Sequence, residues 1–401
     1  MGSLAPMRYG PRMLMGFLGS VGAAATLPGT TELLLLTAGG MLPPRRPGPA
    51  TRPLRRLAVV VPAHNEEAGI ASCVESLRAC EHPDAAVEIL VVADNCSDET
   101  AANAREAGAT VLEREDAERR GKGYALELAF ERLFFAYPDL DAVLVVDADT
   151  IVAPNFLRAM EAWFAQGSDA VQCRYTVRNA DASTRTRLMN VALMAFNVLR
   201  PRGRARWGLS AGILGNGFGL SRSALEAVPY AARSVVEDLE HHLDLVRTGM
   251  RVDFVDETWV KADFPAGERG ADTQRARWEG GRLRMMIDHV PGLVASVLQG
   301  EWRLFEPVLD LTLLPLAMHV GALGLVLVIP FPPTQVIAAL GLATVAAHVG
   351  AALWVGKAGA GELRALLTAP LYVAWKAGLL RKIVEAAAPD QEWVRTARET
   401  A

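Results

Sequence analysis

The sequence predicts an α/β protein, a doubly wound, mostly parallel sheet joined to membrane helices, on two observations. Between Leu57 and Asp147, short and nearly continuous apolar runs alternate with segments of helical spacing. That is the pattern of parallel strands buried on both faces and connected by helices. Outside this region the apolar residues collect toward the two ends of the chain, in runs long enough to cross a bilayer. A chain of 401 residues has room for one large domain and these smaller appendages. Its net charge of −4 argues against nucleic acid as the main partner.

The elements follow in order. Residues 1–42 read as an imperfect membrane anchor: 13–25 is apolar, Pro28 and Glu32 interrupt, and 33–42 resumes. One spanning helix, an interfacial helix and a signal peptide headed by Arg8 and Arg12 all fit, with the uncleaved anchor preferred. Residues 43–56 form a basic, Pro-rich linker. In the central domain, 57–290, strands are expected at 57–61, 87–93, 110–112, 142–146 and 170–175, and helices at 68–79, 100–107 and 122–135. The runs 308–331 and 334–355, parted by Pro332-Pro333, read as a hairpin of two spanning helices. Asp310 enters the first run, and His319 and His348 inside are expected to be buried and neutral. Residues 366–384 set Leu367, Leu371, Trp375 and Leu379 against Lys376, Arg381 and Lys382, the pattern of an interfacial helix before a cytoplasmic tail. Arg45, Arg46, Arg52, Arg55 and Arg56 follow the first segment, and Lys357 and Arg364 follow the last. The positive-inside rule then places the central domain and the tail in the cytoplasm, on the inner (plasma) membrane. Cys73, Cys80, Cys96 and Cys173 lack metal-ligand spacing and read as reduced, mostly buried thiols.

Ligands of such sheets bind at the carboxyl ends of the strands. Three polar clusters emerge there: Pro62-Ala-His-Asn-Glu-Glu67, Asp94-Asn-Cys-Ser-Asp98 and Asp147-Ala-Asp149. Two carboxylates closing a buried strand are costly to desolvate, and strand alternation would point both the same way, so a shared cation fits them. Capping of the next helix is the other reading.

With RRGKGYAL (119–126), GNGFGLSRSAL (215–225), VED (236–238) and QRARW (274–278), these motifs run in order over 57–290. On them the chain resembles the family 2 glycosyltransferases, inverting enzymes of GT-A fold that use nucleotide-sugar donors. The apolar hairpin and the tail with Trp393-Val-Arg395-Thr396 resemble the membrane-bound branch, the polysaccharide synthases and ceramide-type glucosyltransferases. The resemblance implies that Pro62, Glu66, Asp94, Lys122, Asp147, Gln274, Arg277 and Trp278 hold the nucleotide sugar. It implies Asp147 and Asp149 as ligands of Mg²⁺ or Mn²⁺, for which carboxylate oxygens are suited. It makes Asp238 the catalytic base, with Glu237 a weaker candidate, and Gly215-Asn216-Gly217 an acceptor-side loop. Structural readings stay open beside these roles: first-turn helix charges at Glu66 and Glu237, a solvated loop around Lys122, and a basic interfacial helix around Gln274. His241 and His242 receive no role and are expected to be solvated or capping.

The implied activity is transfer from a nucleotide-diphosphate sugar, a UDP-hexose, to a lipid-linked or polysaccharide acceptor. A processive exopolysaccharide synthase subunit needing an export partner or oligomer is the alternative within the class. A nucleotidyltransferase would want a Gly-rich, Arg-containing loop after the first strand, where this chain has Pro62-Ala-His-Asn65. A dehydrogenase would want GxGxxG there.

Overall fold

The computed structural model describes residues 10–231, 236–265 and 268–387. The segment Trp393–Thr396 and Arg8 lie outside them. The sheet is built from β1 (Arg56–Ala63), β2 (Ala86–Asp94), β3 (Thr110–Arg114), β4 (Leu140–Val145), β5 (Thr150–Val152), β6 (Ala170–Val177), β7 (Phe218–Ser221) and β8 (Val252–Ala262), in the order β3-β2-β1-β4-β7-β6-β8-β5. Strands β1 to β4 pair in parallel. Strand β7 runs antiparallel between β4 and β6, and β5 antiparallel to β8. The sheet is therefore mixed. Strict strand–helix alternation, which enforces parallel crossovers, ends in the sequence where these reversed strands begin.

Period-two alternation in β1 sorts its residues between two cores. Val59 and Val61 join Phe156, Met160 and Trp163 on one face, and Ala58 and Val60 join Leu126, Phe130 and Leu133 on the other. Full burial of each large apolar side chain is worth about 1.5–3 kcal/mol. The covering helices are α2 (Ile70–Arg78), α3 (Thr100–Glu106), α4 (Lys122–Ala136) and α5 (Phe156–Ala165), preceded in the chain by α1 (Gly10–Met41). After β6 come α6 (Thr184–Leu193), a π-helical turn at Met194–Leu199, and α7 (Arg200–Arg206). Then follow α8 (Arg222–Ala227), α9 (Glu237–Arg247) and the long α10 (Glu268–Leu298).

Helix α1 runs unbroken through Pro28 and Glu32. Glu32 does not interrupt it because it is buried and lies 3.7 Å from Arg204 of α7. Gly203 lets α7 approach so closely that any Cβ there would collide with the Leu36 carbonyl, and the Trp207 indole donates to the Leu35 carbonyl at 2.9 Å. The expected continuous helix over 308–331 is instead two, α11 (Phe305–Thr312) and α12 (Leu316–Val328), in a pair bent by 76°. Pro315 explains the break: it lacks an N–H and disfavours helical backbone in the residue before it. At 13 residues α12 is about 20 Å long, short of the ~30 Å hydrocarbon layer. Among the described residues, the helices long and apolar enough to cross a membrane are α1 and α13 (Pro332–Gly356), with the bent pair a third if it counts as one span. His319 meets Thr30 at 3.2 Å and His348 meets Thr37 at 2.8 Å, so both histidines pin α12 and α13 to α1.

After α14 (Ala360–Ala365), the expected interfacial helix is divided into α15 (Ala369–Gly378) and α16 (Leu380–Ala386). Leu367 and Leu371 are exposed, whereas Lys376 is turned inward onto Glu279 of α10 at 2.6 Å.

Candidate functional site

The loops after β1 and β2 are fixed by left-handed asparagines, a residue type that tolerates positive φ. Asn65 has φ 55° and accepts from the Ser97 N–H at 2.7 Å; Asn95 has φ 50° and accepts from the Asp116 N–H at 2.9 Å. The Glu66 N–H donates to Thr100 at 2.7 Å. Asp94, at the end of β2, lies in register with Arg114 at the end of β3, whose guanidinium donates to it at 2.6 Å. Burial raises the Asp94 pKa and Arg114 opposes the shift.

Asp147 and Asp149 are placed differently from the strand alternation expected of them. Strand β4 ends at Val145, and both aspartates lie in the connection to β5, where the Thr150 N–H closes on the Asp147 carbonyl at 3.1 Å. Asn216 supports this turn. It is fully buried, accepts from the Asp147 N–H at 3.1 Å and donates to Thr150 at 2.8 Å. Gly217, with φ 69°, is pinned between Val145 and Cys173 by backbone hydrogen bonds of 3.0 and 2.9 Å. Both residues brace the Asp147 turn, and neither lines the cavity.

Lys122, first residue of α4, donates to Asp147 at 2.7 Å and to the Gly215 carbonyl. Burial alone would lower its pKa, but Asp147 and Glu237 outweigh that and raise it. Gly215 has φ 79°, and a Cβ on it would stand 3.0 Å from the Asp238 carboxylate. Glu237 and Asp238 open α9. Burial pushes Glu237 up to about 7 and raises Asp238, with Lys122 opposing both. Gly215→Ala is expected to reduce turnover, because positive φ costs an L-residue roughly 1–2 kcal/mol and the added methyl displaces Asp238. A variant with unchanged melting temperature and unchanged turnover would contradict this placement.

Helix α10 closes the site. Arg277 faces Glu237 and Asp147, and burial lowers its pKa against their pull. The Gln274 Oε1 is sheltered without a hydrogen-bond partner among the described residues. Trp278 lies edge-on to Phe264, ring centres 6.1 Å apart, so much of its indole is committed to packing. His241 and His242 are buried, not solvated or capping. His241 packs on Tyr230 at 4.6 Å, and the His242 Nε2 lies 2.8 Å from the Ser210 hydroxyl. Burial pushes both down to about 4.

Pro62, Glu66, Asp94, Lys122, Asp147, Asp149, Gly215, Glu237, Asp238, Gln274, Arg277 and Trp278 all line one cavity of 2020 Å³. It continues past Phe196, Arg200, Arg204, Arg282 and Asp310 to Leu33, His319, Val345 and His348 on the membrane helices. Sequence reasoning missed Arg114, the bracing role of Asn216 and this basic middle section. Only the first had a local signal, its place opposite Asp94 on the neighbouring strand.

A family description of glycosyltransferase like family 2 matches residues 54–281. The chain is 26% identical over 248 residues to the probable glycosyltransferase YdaM of Bacillus subtilis, covering 58% of this chain and 57% of that protein. It is 29% identical over 265 residues to the beta-monoglucosyldiacylglycerol synthase of Synechocystis, covering 62% and 52%. The chain thus spans little more than half the length of these curated relatives. Among solved structures, mannosyltransferase PcManGT from Pyrobaculum calidifontis, in complex with GDP-Man and Mn²⁺, matches with a TM-score of 0.53 at 19% identity, over 93% of this chain and 100% of that one. At that identity the likeness is one of fold, the GT-A fold. With well over half its residues inside the family match, the chain belongs to glycosyltransferase family 2.

Proposed function

We propose that this protein is a membrane-anchored inverting glycosyltransferase. It moves a hexose from a nucleotide-diphosphate sugar, a UDP-hexose in our reading, to a hydroxyl of a lipid-linked or glycan acceptor, with the central domain in the cytoplasm. The junction at Gly215 carries the proposal. Its carbonyl accepts Lys122, which also holds Asp147, and its Cα stands against Asp238. A diphosphate site and a carboxylate base are thereby one residue apart.

Asp94, fixed by Arg114, presents its carboxylate to the nucleoside, while Lys122 and Arg277 set positive charge against the diphosphate. Asp147 and Asp149 both open onto the cavity, and no group of three or more His, Cys, Asp or Glu among the described residues could hold an ion alone. Two carboxylates, with the remaining positions left to phosphate and water, suit Mg²⁺ or Mn²⁺. Such an ion supplies neutralisation of the charge that builds on the leaving diphosphate. Asp238 takes the acceptor's hydroxyl proton as that oxygen bonds to the anomeric carbon. The bond from that carbon to the diphosphate breaks, and its electron pair leaves with the nucleoside diphosphate. One displacement from the opposite face inverts the configuration.

The relative named as a beta-monoglucosyldiacylglycerol synthase supports a lipid acceptor. Two or three candidate spans among the described residues are few to enclose a channel, which favours single addition over a processive synthase with an export partner or oligomer. Membranes containing the protein should transfer label from at least one of a panel of nucleotide sugars into a solvent-extractable lipid fraction. A chelator should stop transfer, and Mg²⁺ or Mn²⁺ should restore it. Transfer indifferent to chelation would overturn the metal reading, and label confined to large polymer would overturn the acceptor reading.

A further inference from the structure

The middle of the cavity is lined by a cation that no carboxylate among the described residues touches directly. Arg200 makes no hydrogen bond or ion pair among the described residues, and its Nε is sheltered from solvent. Its guanidinium lies 5.2 Å from the centre of the Phe196 ring, and that of Arg282 lies 6.0 Å from the same centre. Two cations beside one ring in a sheltered cavity make the space around it favourable for an anion. Glu32 and Asp310 attract Arg200 from a distance, but the direct ion pairs of Glu32, Glu306 and Asp310 are with Arg204, and of Asp310 also with Arg282, so the Arg200 guanidinium keeps hydrogen-bond donors to offer. Phe196 itself is carried on the π-helical turn Met194–Leu199, a distortion frequent at functional sites.

The position along the cavity says what the anion belongs to. Following α10, Gln274 and Arg277 stand at the donor side, while Arg282, about one and a half turns on, meets Asp310 of α11. Beyond α11 the wall is mostly apolar, with Leu314, Val320 and Val345 beside His319 and His348, which are tied to Thr30 and Thr37 of α1. A guest filling this length meets hydrocarbon, then cations, then the Asp238 carboxylate.

Resting on the glycosyltransferase reading above, we infer that Phe196, Arg200 and Arg282 form an acceptor phosphate subsite. The acceptor is an amphiphile whose phosphate lies between its hydrocarbon chain and the hydroxyl that reaches Asp238. Its chain enters from the membrane along the break between α11 and α12.

The test is equilibrium binding to the full-length protein in maltoside micelles, without donor. The probes are short-chain phosphatidylglycerol, diacylglycerol of the same chain length, and glycerol 3-phosphate. Phosphatidylglycerol should bind at least about tenfold more tightly than either of the others, as expected for charge-assisted hydrogen bonds to phosphate. Arg200→Gln should remove about that factor for phosphatidylglycerol and leave diacylglycerol unchanged, and Arg200→Lys should recover part of it. Phe196→Leu, which keeps both arginines, should weaken phosphatidylglycerol binding and serves if Arg200→Gln does not fold. Equal binding of diacylglycerol, or an Arg200→Gln protein that folds and keeps its preference, overturns the subsite. Glycerol 3-phosphate binding as tightly as phosphatidylglycerol overturns its assignment to a lipid. Asp238→Asn should retain the phosphate preference, so failure of the transfer reading would show separately, as inactivity toward every donor with binding intact.

Discussion

Asp238→Asn is expected to lower turnover by about 10²- to 10⁴-fold, the usual worth of a general base. Asparagine keeps the shape that packs against Gly215 but cannot accept the proton. Because burial raises the Asp238 pKa, the acidic limb of the wild-type kcat profile should lie above the ordinary aspartate value: the base must be ionised, so turnover falls as pH drops through the raised pKa. The linkage to stability has the opposite sense. Between its unfolded value and its raised folded value, a carboxyl binds more protons folded than unfolded, so stability is lost as pH rises through the folded pKa. Glu237, at 4.5 raised to about 7, places part of that loss near neutrality. Asp238→Asn should therefore melt at or above the wild-type temperature at neutral pH while losing activity. A variant that keeps wild-type turnover would remove Asp238 from the mechanism.

Arg204→Met should give the largest loss of stability. Arg204 is buried and serves three carboxylates: Glu32 of α1 at 3.7 Å, Glu306 at 2.8 Å, and Asp310. Removing the cation leaves these charges buried without it, an arrangement that costs about 3–5 kcal/mol. At roughly 1 °C per kcal/mol for a chain of this size, a melting-temperature drop of about 5 °C is expected in detergent. Replacing Arg204 together with Glu32 and Glu306 by apolar residues should recover much of the loss, because their desolvation cost disappears with the charges while Asp310 keeps Arg282 as its partner. An Arg204→Met protein as stable as wild type would mean that the cluster is hydrated and contributes little to joining α1, α7 and α11.

The polar strand ends that line the cavity were legible because they depend on local pattern: an apolar run, then a polar cluster, with the alternation of helices fixing which edge the clusters share. Arg114 escaped because its strand seemed to stop at Leu112; the two further residues carry it into register opposite Asp94. Asn216 looked like part of an acceptor loop, since its sequence neighbours are glycines. Only the fold shows that their positive φ values turn the loop beneath the Asp147 turn, where the amide becomes a brace. The break at Pro315 was visible residue by residue, but the apolar run Leu313 to Leu316 continues across it. The Arg204 cluster joins residues from 32 to 310, and no local pattern announces an ion pair across such a separation.

The central claim, a single displacement assisted by Asp238, is tested most directly by the anomeric configuration of the first-formed product. That is read by proton NMR after transfer from an α-linked nucleotide sugar, before any rearrangement. The account predicts a β-linked product and no α-linked one; an α-linked product would contradict it, because retention requires either two displacements or a front-face path in which Asp238 is not the base.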